Sequence, residues 1–335
     1  MLPLVSILIP VYNCRDWVVR AIESALAQTW SRKEIIVLDD GSTDGSIEVI
    51  QKFNGRIRIE TTENGGQNVS RNRLTALSRG EWLFFLDADD ELAPDNVEQK
   101  MKHTEKAEAV YGATDVATFC GRDLIKLEKR EAVDYSDPLT AAFSWKFPNT
   151  SAFAFQRDAL RAAGGWDENV KNCTDYALYF PLLLRGGRFK AAPGAWSLYR
   201  QWSVTQAAKE APLRMSTTRL KVMRTAALKL KQAGQMTAAR EQAFLDASLS
   251  MIRTIYQIDH LRAVQEHESL REWNPRFRPC PPMFSRTYRW AYRSLDFAVV
   301  ERLAAVVRRL KPTRTSPSQP GVCAGADLLQ SYRSG

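Results

Sequence analysis

The chain lacks the features that mark secreted or membrane-spanning proteins. No apolar run reaches the roughly 20 residues that a membrane-spanning helix needs. The apolar start, from Leu2 to Val11, is interrupted by two prolines and has neither a basic flank nor a small-residue cleavage site. We therefore expect no signal peptide and a cytoplasmic location.

Cysteine and histidine are also scarce. The cysteines number five, an odd count, and are scattered without the spacing of metal ligands, which predicts free thiols in a reducing compartment rather than a disulfide framework. Three histidines are present and lie outside every chemistry-bearing motif of the chain, so we expect no catalytic role for them. These histidines are His103, His260 and His267.

What the chain does contain is ordinary globular composition with an uneven charge. Of 335 residues, 44% are hydrophobic and 25% are charged, enough for one large core or two modest ones. Residues 1–210 carry 26 Lys and Arg against 29 Asp and Glu, whereas residues 211–335 carry 21 against 9. The basic excess therefore belongs to the C-terminal part, and predicts either an anionic partner or a solvated face.

Strand-like and helix-like patterns alternate through the first 110 residues. Apolar runs predict strands at 5–9, 35–38, 56–60 and 82–86, and helical spacing follows from Asp16, at 46–53 and at 68–78. This alternation predicts a mostly parallel sheet covered on both faces. Ligands bind beyond the carboxyl ends of strands in such sheets.

The rest of the chain changes character twice. Residues 111–210 contain shorter, mixed elements. Helical patterns dominate from 211 to 310, at 213–231, 238–258 and 290–310, with a proline-rich break at 274–282. Residues 311–335 are rich in Ser, Pro, Thr and Gly, and we expect a disordered tail.

Two acidic clusters follow buried strands. Asp39 and Asp40 begin a stretch typical of a tight turn before a helix, which is a common structural feature in its own right. Asp87, Asp89 and Asp90 end the 82–86 strand, where their mutual repulsion is costly unless a cation offsets it. Carboxylates suit Mg²⁺ or Mn²⁺, which completes its shell with phosphate and water. The alternative is a solvent-exposed helix start.

The order of the motifs resembles the donor-binding half of family-2 glycosyltransferases. The motifs are SILIPVYN at 6–13, VLDDGSTD at 37–44, SRN at 70–72 and FLDADD at 85–90. Farther on, GGWDE at 164–168 and TDY at 174–176 resemble the acceptor-side motif of that family. The resemblance covers about residues 3–205. It implies an α/β, Rossmann-like GT-A nucleotide-sugar-binding domain followed by a mainly helical C-terminal region.

The resemblance and the helical pattern after residue 210 together divide the chain, and the resemblance implies a set of donor contacts. Residues 1–110 would form the donor-binding half, 111–210 the acceptor-binding half and 211–310 a helical basic region. The backbone around Pro10, Val11 and Tyr12 would line the nucleotide pocket. Asp40 would accept a hydrogen bond from the base, and Asp39 would support that turn.

The reaction implied is an inverting transfer from a nucleotide sugar to an acceptor hydroxyl. Arg71 would lie near the base or diphosphate, Asp87 would contact the ribose or sugar, and Asp89 would ligate the Mg²⁺ or Mn²⁺ that bridges the diphosphate. Asp175 is the candidate general base. Its alternative role is to cap a helix that starts there, although Pro181 argues against a long helix.

Departures from the family pattern narrow the expectation. Thr174 stands where the family usually has Glu, and Gln201 and Trp202 follow the Tyr199–Arg200 pair where a His is frequent. We nevertheless expect activity. The membrane spans and Gln-x-x-Arg-Trp motif of processive synthases are absent from the sequence, so a single-sugar transfer is expected.

Two rival functions stay open. A sugar nucleotidyltransferase would need a glycine-rich basic loop after the first strand, where this chain has PVYN at 10–13. A catalytically inactive nucleotide-sugar-binding scaffold is kept open by Thr174, although Asp87, Asp89 and Asp175 are all present.

The expected partners are a nucleotide-sugar donor and a saccharide or lipid-linked acceptor, in surface polysaccharide or glycolipid synthesis. Aromatic residues alternate with arginines at 286–297, a pattern that suits peripheral attachment to an anionic membrane on its inner face or, equally, a solvated face of a helical subdomain. No nucleic-acid motif accompanies the charge, so no nucleic acid is expected.

Overall fold

The computed structural model describes residues 2–120, 123–202 and 207–310, which form two compact units. The first contains the residues up to 138 together with 147–202. The second contains 139–146 together with 207–310. The tail predicted at 311–335 lies outside the described residues.

The first unit is built on a nine-stranded mixed sheet with short helices between its strands. The strands are β1 Val5–Val11, β2 Lys33–Asp39, β3 Arg58–Thr61, β4 Trp82–Phe85, β5 Glu91–Leu92, β6 Ala109–Cys120, β7 Asp123–Arg130, β8 Phe153–Gln156 and β9 Phe189–Trp202. The helices are α1 Val18–Leu26, α2 Ser46–Gln51, α3 Gln67–Leu77, α4 Asn96–Met101, α6 Arg157–Ala162 and α7 Thr174–Leu184. Helix α5, Pro138–Phe143, belongs to the second unit except for its first residue.

The strand order explains where the motifs meet. The order is β3-β2-β1-β4-β8-β6-β9-β5, with β7 paired to β6. The first four strands are parallel, as the alternating pattern predicted, while β8 runs antiparallel to both β4 and β6. Val11 pairs with Asp39 in the β1–β2 register, so the carboxyl ends of these strands lie at one edge.

Burial on both faces holds this sheet together. Ile7, Leu8 and Ile9 are consecutive in β1 and all 0% exposed, as expected for a strand covered by helices on both sides. Helix α1 covers one face with Val18, Ala21, Ile22 and Ala25, which recur at helical spacing.

The second unit is helical. Its helices are α8 Ala207–Gln232, α9 Ala238–Tyr256, α10 His260–Trp273, α11 Arg286–Ser294 and α12 Phe297–Leu310. The single helix predicted at 290–310 is wrong, because the chain is extended at Leu295 and the carboxylate of Asp296 accepts the amide of Ala298 to begin α12. Across the described ranges, no helix combines the length and apolarity needed to cross a membrane.

Candidate active site

The first two donor motifs are joined to each other by side-chain hydrogen bonds. The Asn13 side chain accepts the Thr43 amide at 2.8 Å, and the hydroxyl of Ser46 accepts the Cys14 amide at 2.9 Å. Gly41 sits at φ +74°, where a Cβ would lie 3.0 Å from the backbone nitrogen of Asn64, so the turn requires glycine. The Ser42 hydroxyl and the Asp44 carboxylate likewise accept the amides of Asn13 and Arg15, each at 3.0 Å. Polar side chains at 42–46 therefore order the loop that follows β1.

Asp39 and Asp40 are both buried at the end of β2. Asp40 is 2% exposed, and its two carboxylate oxygens accept the amides of Gly65 and Gly66 at 3.0 and 2.9 Å. One oxygen of Asp39 accepts the Ser42 amide at 3.1 Å. In this conformation Asp40 orders the loop before α3, and its hydrogen bond to a nucleotide base stays a prediction.

At the end of β1, the side chain of Tyr12 is exposed and that of Val11 is buried. Val11 is 1% exposed and belongs to the core, while Tyr12 is 53% exposed just beyond it. Pro10 is half-buried. These positions are compatible with the predicted use of the backbone at 10–12 to line a nucleotide pocket.

Arg71 is buried and pairs with the more exposed Asp87. Its guanidinium is 1% exposed and stacks on the Trp166 ring at 4.4 Å from the centroid. One Nη donates to Asp87 at 2.7 Å and the other to the Thr174 hydroxyl at 3.1 Å. Two donors are thus committed to protein, and the geometry orients Asp87; pairing of Arg71 with a base or diphosphate stays a prediction.

Asp90 is the buried anchor of the acidic turn. Its carboxylate is 0% exposed and accepts hydrogen bonds from the Ser151 hydroxyl at 2.6 Å, the Asn149 amide at 3.1 Å and the backbone nitrogen of Arg200 at 3.0 Å. Burial, with the charges of Asp89 and Asp87, raises the pKa of Asp90 well above its ordinary value. Asp90 therefore joins three chain segments rather than facing a ligand.

Arg200 braces the same turn from the other side. It is 3% exposed, donates to the Asp89 carbonyl at 2.7 Å and pairs with Glu91. Its guanidinium also lies over the Trp17 ring, 5.0 Å from the centroid. This structural role of Arg200 was not predicted from the sequence. The Tyr199–Arg200 pair was the one signal in the sequence that could have indicated it.

Asp175 is brought to the acidic turn by two links. The Thr150 hydroxyl donates to the Asp175 carboxylate, and the neighbouring Ser151 contacts both Asp90 and the amide of Asp87. The second link is Arg71, which joins Asp87 to Thr174, the residue next to Asp175.

Helix α7 positions Asp175 in its first turn and is entered from Cys173 in the left-handed region, at φ 61°. It then runs through Pro181, although that proline argued against a long helix. Asp175 itself is half-buried.

The acceptor-side motif is clamped to helix α3. The Asn72 side chain accepts the Trp166 amide at 2.9 Å and donates to Glu168 at 2.8 Å, while Asn68 donates to the carbonyl of Asp167 at 2.7 Å. Gly165 lies at φ +70°, a backbone conformation that favours glycine, and a Cβ there would lie 2.9 Å from the Asn72 oxygen. The two predicted halves of the domain therefore share one scaffold around Arg71.

Burial and the carboxylates of the turn raise the pKa of two neighbouring groups. Burial, with Asp89 as the largest charged contributor, raises the pKa of Cys14 to about 12. Burial, with the charges of Asp90, Asp175 and Asp87, raises the pKa of Tyr199 to about 12. In both groups burial is the larger cause, and the carboxylate charges of the turn add to it.

The acidic turn suits a metal that takes few protein ligands. Asp89 is half-buried in the turn, between the half-buried Asp87 and the fully buried Asp90. Within the described ranges, no three or more His, Cys, Asp or Glu residues are grouped to hold a metal ion. Mg²⁺ and Mn²⁺ ordinarily bind through one or two carboxylates and substrate phosphates, so Asp89 in this negative environment fits such an ion.

Comparison with known proteins bears on the same residues. Residues 6–162 match the family model described as Glycosyl transferase family 2. The chain is 35% identical over 199 residues to chondroitin synthase from Pasteurella multocida, which is 56% of this chain and 20% of that protein, so it spans about a fifth of that relative's length. It is 26% identical over 248 residues to the putative teichuronic acid biosynthesis glycosyltransferase TuaG from Bacillus subtilis, covering 62% of this chain and 96% of TuaG.

Solved structures show the same fold. The TarS 1–349 structure from S. aureus in complex with UDP-GlcNAc has a TM-score of 0.55 at 16% identity, covering 77% of this chain and 74% of that one. A mannosyltransferase from Pyrobaculum calidifontis, in complex with GDP-Man and Mn²⁺, has a TM-score of 0.51 at 17% identity over 92% of this chain and 87% of that one. These similarities confirm the predicted GT-A fold with a helical C-terminal region.

The motif order, the shared edge of β1, β2 and β4 and these matches agree on one assignment. Residues 6–162, just under half of the chain, form a domain that matches glycosyl transferase family 2.

Proposed function

We propose that this chain transfers one sugar, with inversion, from a nucleoside-diphosphate sugar to an acceptor hydroxyl. The observation that carries the proposal is the placement of Asp175 beside the acidic turn, through the turn at Thr150 and Ser151 and through Arg71 and Thr174. These two links support the proposal by holding Asp175, the proposed base, near the acidic turn that contains Asp89, the proposed metal ligand.

The residues would divide the reaction between them. The acceptor oxygen forms a bond to the anomeric carbon while the bond from that carbon to the diphosphate oxygen breaks, and Asp175 takes the acceptor's proton. Asp87, held by Arg71, would contact the ribose or sugar, and the backbone at 10–12 with Asp39 and Asp40 would hold the nucleotide. A bound Mg²⁺ or Mn²⁺, held by Asp89, would supply charge stabilisation to the leaving diphosphate.

Substrates are proposed from the neighbours. UDP-GlcNAc and GDP-Man, present in the two similar structures, are the donors to screen first. The names of the relatives, chondroitin synthase and a teichuronic acid biosynthesis enzyme, favour a saccharide or lipid-linked acceptor in surface polysaccharide or glycolipid synthesis. For such an acceptor we propose a cytoplasmic enzyme that works at the inner face of an anionic membrane.

The test measures donor binding and turnover with Mg²⁺, Mn²⁺ or chelator. We expect Asp89→Ala to abolish metal-dependent donor binding, and Asp175→Asn to keep binding while losing turnover by about 10²- to 10⁴-fold. Asp158→Asn is the matched control, because Asp158 occupies the first turn of α6 as Asp175 does in α7, but is exposed.

Three outcomes would count against the proposal. Full turnover by Asp175→Asn would remove the base assignment, and donor binding unaffected by chelator would remove the metal. Donor binding by the wild-type chain without turnover on any saccharide or lipid-linked acceptor would favour the inactive scaffold instead.

A further inference from the structure

Helix α12 has apolar side chains on the face that points away from its packing partners. Phe297 and Val300 face inward and are 5% and 2% exposed. Four other apolar side chains face outward and recur at the i, i+4, i+7 and i+8 spacing of one helical face. This outer stripe consists of Val299, Leu303, Val306 and Val307, which are 41%, 51%, 53% and 54% exposed.

Large apolar side chains also precede the stripe. Trp290 of α11 is 68% exposed, and Leu295, in the connection to α12, is 41% exposed. A surface helix ordinarily places polar residues on its outer face, so a continuous apolar stripe marks an interaction surface rather than a solvated one. Tryptophan side chains are enriched at interfaces between an apolar layer and water, because the ring is apolar and its N–H can donate a hydrogen bond.

The charge around the stripe is positive. Residues 286–307 contain four arginines and no lysine against two acidic residues, Asp296 and Glu301. Glu301 is 0% exposed and pairs internally with Arg253 at 2.7 Å and Tyr288 at 2.8 Å, so its charge faces inward. Arg293 and Arg302 are exposed. The outer surface therefore combines apolar groups with cations.

We propose that the outer stripe of α12, together with Trp290, docks on a lipid bilayer that contains anionic headgroups, with the helix lying in the plane of the interface. Apolar side chains would enter the boundary of the acyl chains while the arginines contact headgroup phosphates. A second copy of the chain is less suitable, because it would bring two positively charged surfaces together. The proposal rests on the membrane partner proposed above but not on the transfer reaction.

The experiment is flotation of the full chain with vesicles of phosphatidylcholine, alone or mixed with phosphatidylglycerol. We expect flotation with the anionic vesicles, weakened by high salt. The double variant Leu303→Ser with Val307→Ser should reduce partitioning by at least about tenfold, from the loss of buried apolar area. Ile125→Ser is the matched control, because Ile125 is also an exposed apolar residue, 57% exposed, but lies on strand β7 of the other unit. The Ile125→Ser chain should float as the wild type does.

The proposal is overturned if the wild-type chain stays at the bottom of the gradient with anionic vesicles, or if the double variant floats equally well. A dimer in light scattering that the double variant abolishes, without flotation of the wild type, would assign the stripe to a second copy. Turnover of nucleotide sugar is measured separately without vesicles. Flotation without turnover would contradict the transferase proposal and leave the docking surface standing.

Discussion

The arginines around the acidic turn of the first unit and those on the outer surface of the second unit are placed in opposite ways. In the first unit, Arg71 and Arg200 are buried, and each donates to identified partners around the acidic turn. In the second, arginines such as Arg286, Arg293 and Arg302 are exposed on the outside of the helices. Buried charges fix the positions of the atoms that they contact. Exposed charges contribute together to the electrostatic field of the surface, and this does not require a fixed position for each side chain.

This difference predicts how substitutions in each unit should behave. Removing one partner of a buried pair leaves the other charge desolvated, so the cost is large and local. Removing an exposed charge changes the stability little, because water and salt already screen it. Substitutions of decreasing expected effect, from Arg200 to Arg302, therefore test the contrast.

Arg200→Met should have the largest effect on stability. It leaves Glu91 buried without its main cation and removes a donor from the Asp89 carbonyl, so we expect a loss of about 3–5 kcal/mol in the free energy of unfolding. Arg20→Met is the matched control, because Arg20 lies 3.8 Å from the same Glu91 but its side chain is 36% exposed. Urea denaturation measures both, and equal losses would break the comparison.

Lys100→Met should raise the free energy of unfolding, whereas Arg200→Met should lower it. Lys100 is 0% exposed, packs over the Phe84 ring at 5.1 Å, and its Nζ finds no hydrogen-bond partner among the described residues. Burial lowers its pKa from 10.5 to about 7. Because the folded pKa lies below the unfolded one, stability is lost as the pH falls from 10.5 toward 7. We expect Lys100→Met to gain about 2–4 kcal/mol at pH 7.

The pH dependence supplies the control for Lys100. The wild-type chain should become more stable relative to Lys100→Met between pH 7 and pH 9, because folding removes a proton from this amine and that removal costs less as the pH rises. Denaturation curves at the two pH values measure the difference. A constant difference between the two chains would mean that Lys100 reaches water in the folded state.

The parallel part of the sheet could be predicted because its strands are buried on both faces. The continuous apolar runs at 5–9 and 82–86 have the length of buried strands and are too short for buried helices. A parallel sheet then brings their carboxyl ends to one edge. The placement of Asp39, Asp40 and the acidic turn along that edge follows from the same geometry.

The partners of the buried arginines could not be predicted. Arg71 stacks on Trp166, and Arg200 on Trp17, across long separations in the chain that no local periodicity encodes. The break between α11 and α12 was missed for a related reason. Apolar residues continue through Leu295, and the capping by Asp296 is a local hydrogen bond that the hydrophobic pattern does not show.

His267 is a buried ionisable group of the second unit, and it tests whether burial has a large effect on stability there as well. It lies 2.8 Å from the Tyr292 hydroxyl and stacks on Phe297 with centroids 4.2 Å apart. Burial, assisted by the charge of Arg271, lowers its pKa from 6.5 to about 4, so the folded unit holds it neutral. The stability that this neutral form contributes is therefore present above pH 6.5 and lost as the pH falls toward 4.

The size of the His267 effect should be about 1–3 kcal/mol, less than that of Arg200, because the ring is partly solvated. His267→Gln can keep a hydrogen bond to Tyr292 without titrating. Thermal denaturation of both chains between pH 7 and pH 4.5 isolates the contribution of the histidine from that of the carboxylates. Curves that run parallel over this range would contradict the prediction.

The smallest change in stability is expected at the exposed arginines. Arg302→Gln removes a charge beside the outer stripe and should alter the free energy of unfolding by less than about 0.5 kcal/mol, as surface substitutions usually do. The same variant should bind anionic vesicles more weakly at low salt, with the difference shrinking at high salt as the field is screened. Arg302→Lys should keep both properties, because a bilayer surface responds to charge more than to guanidinium geometry. A loss of stability comparable to that of Arg200→Met would show that Arg302, although exposed, makes a fixed structural contact.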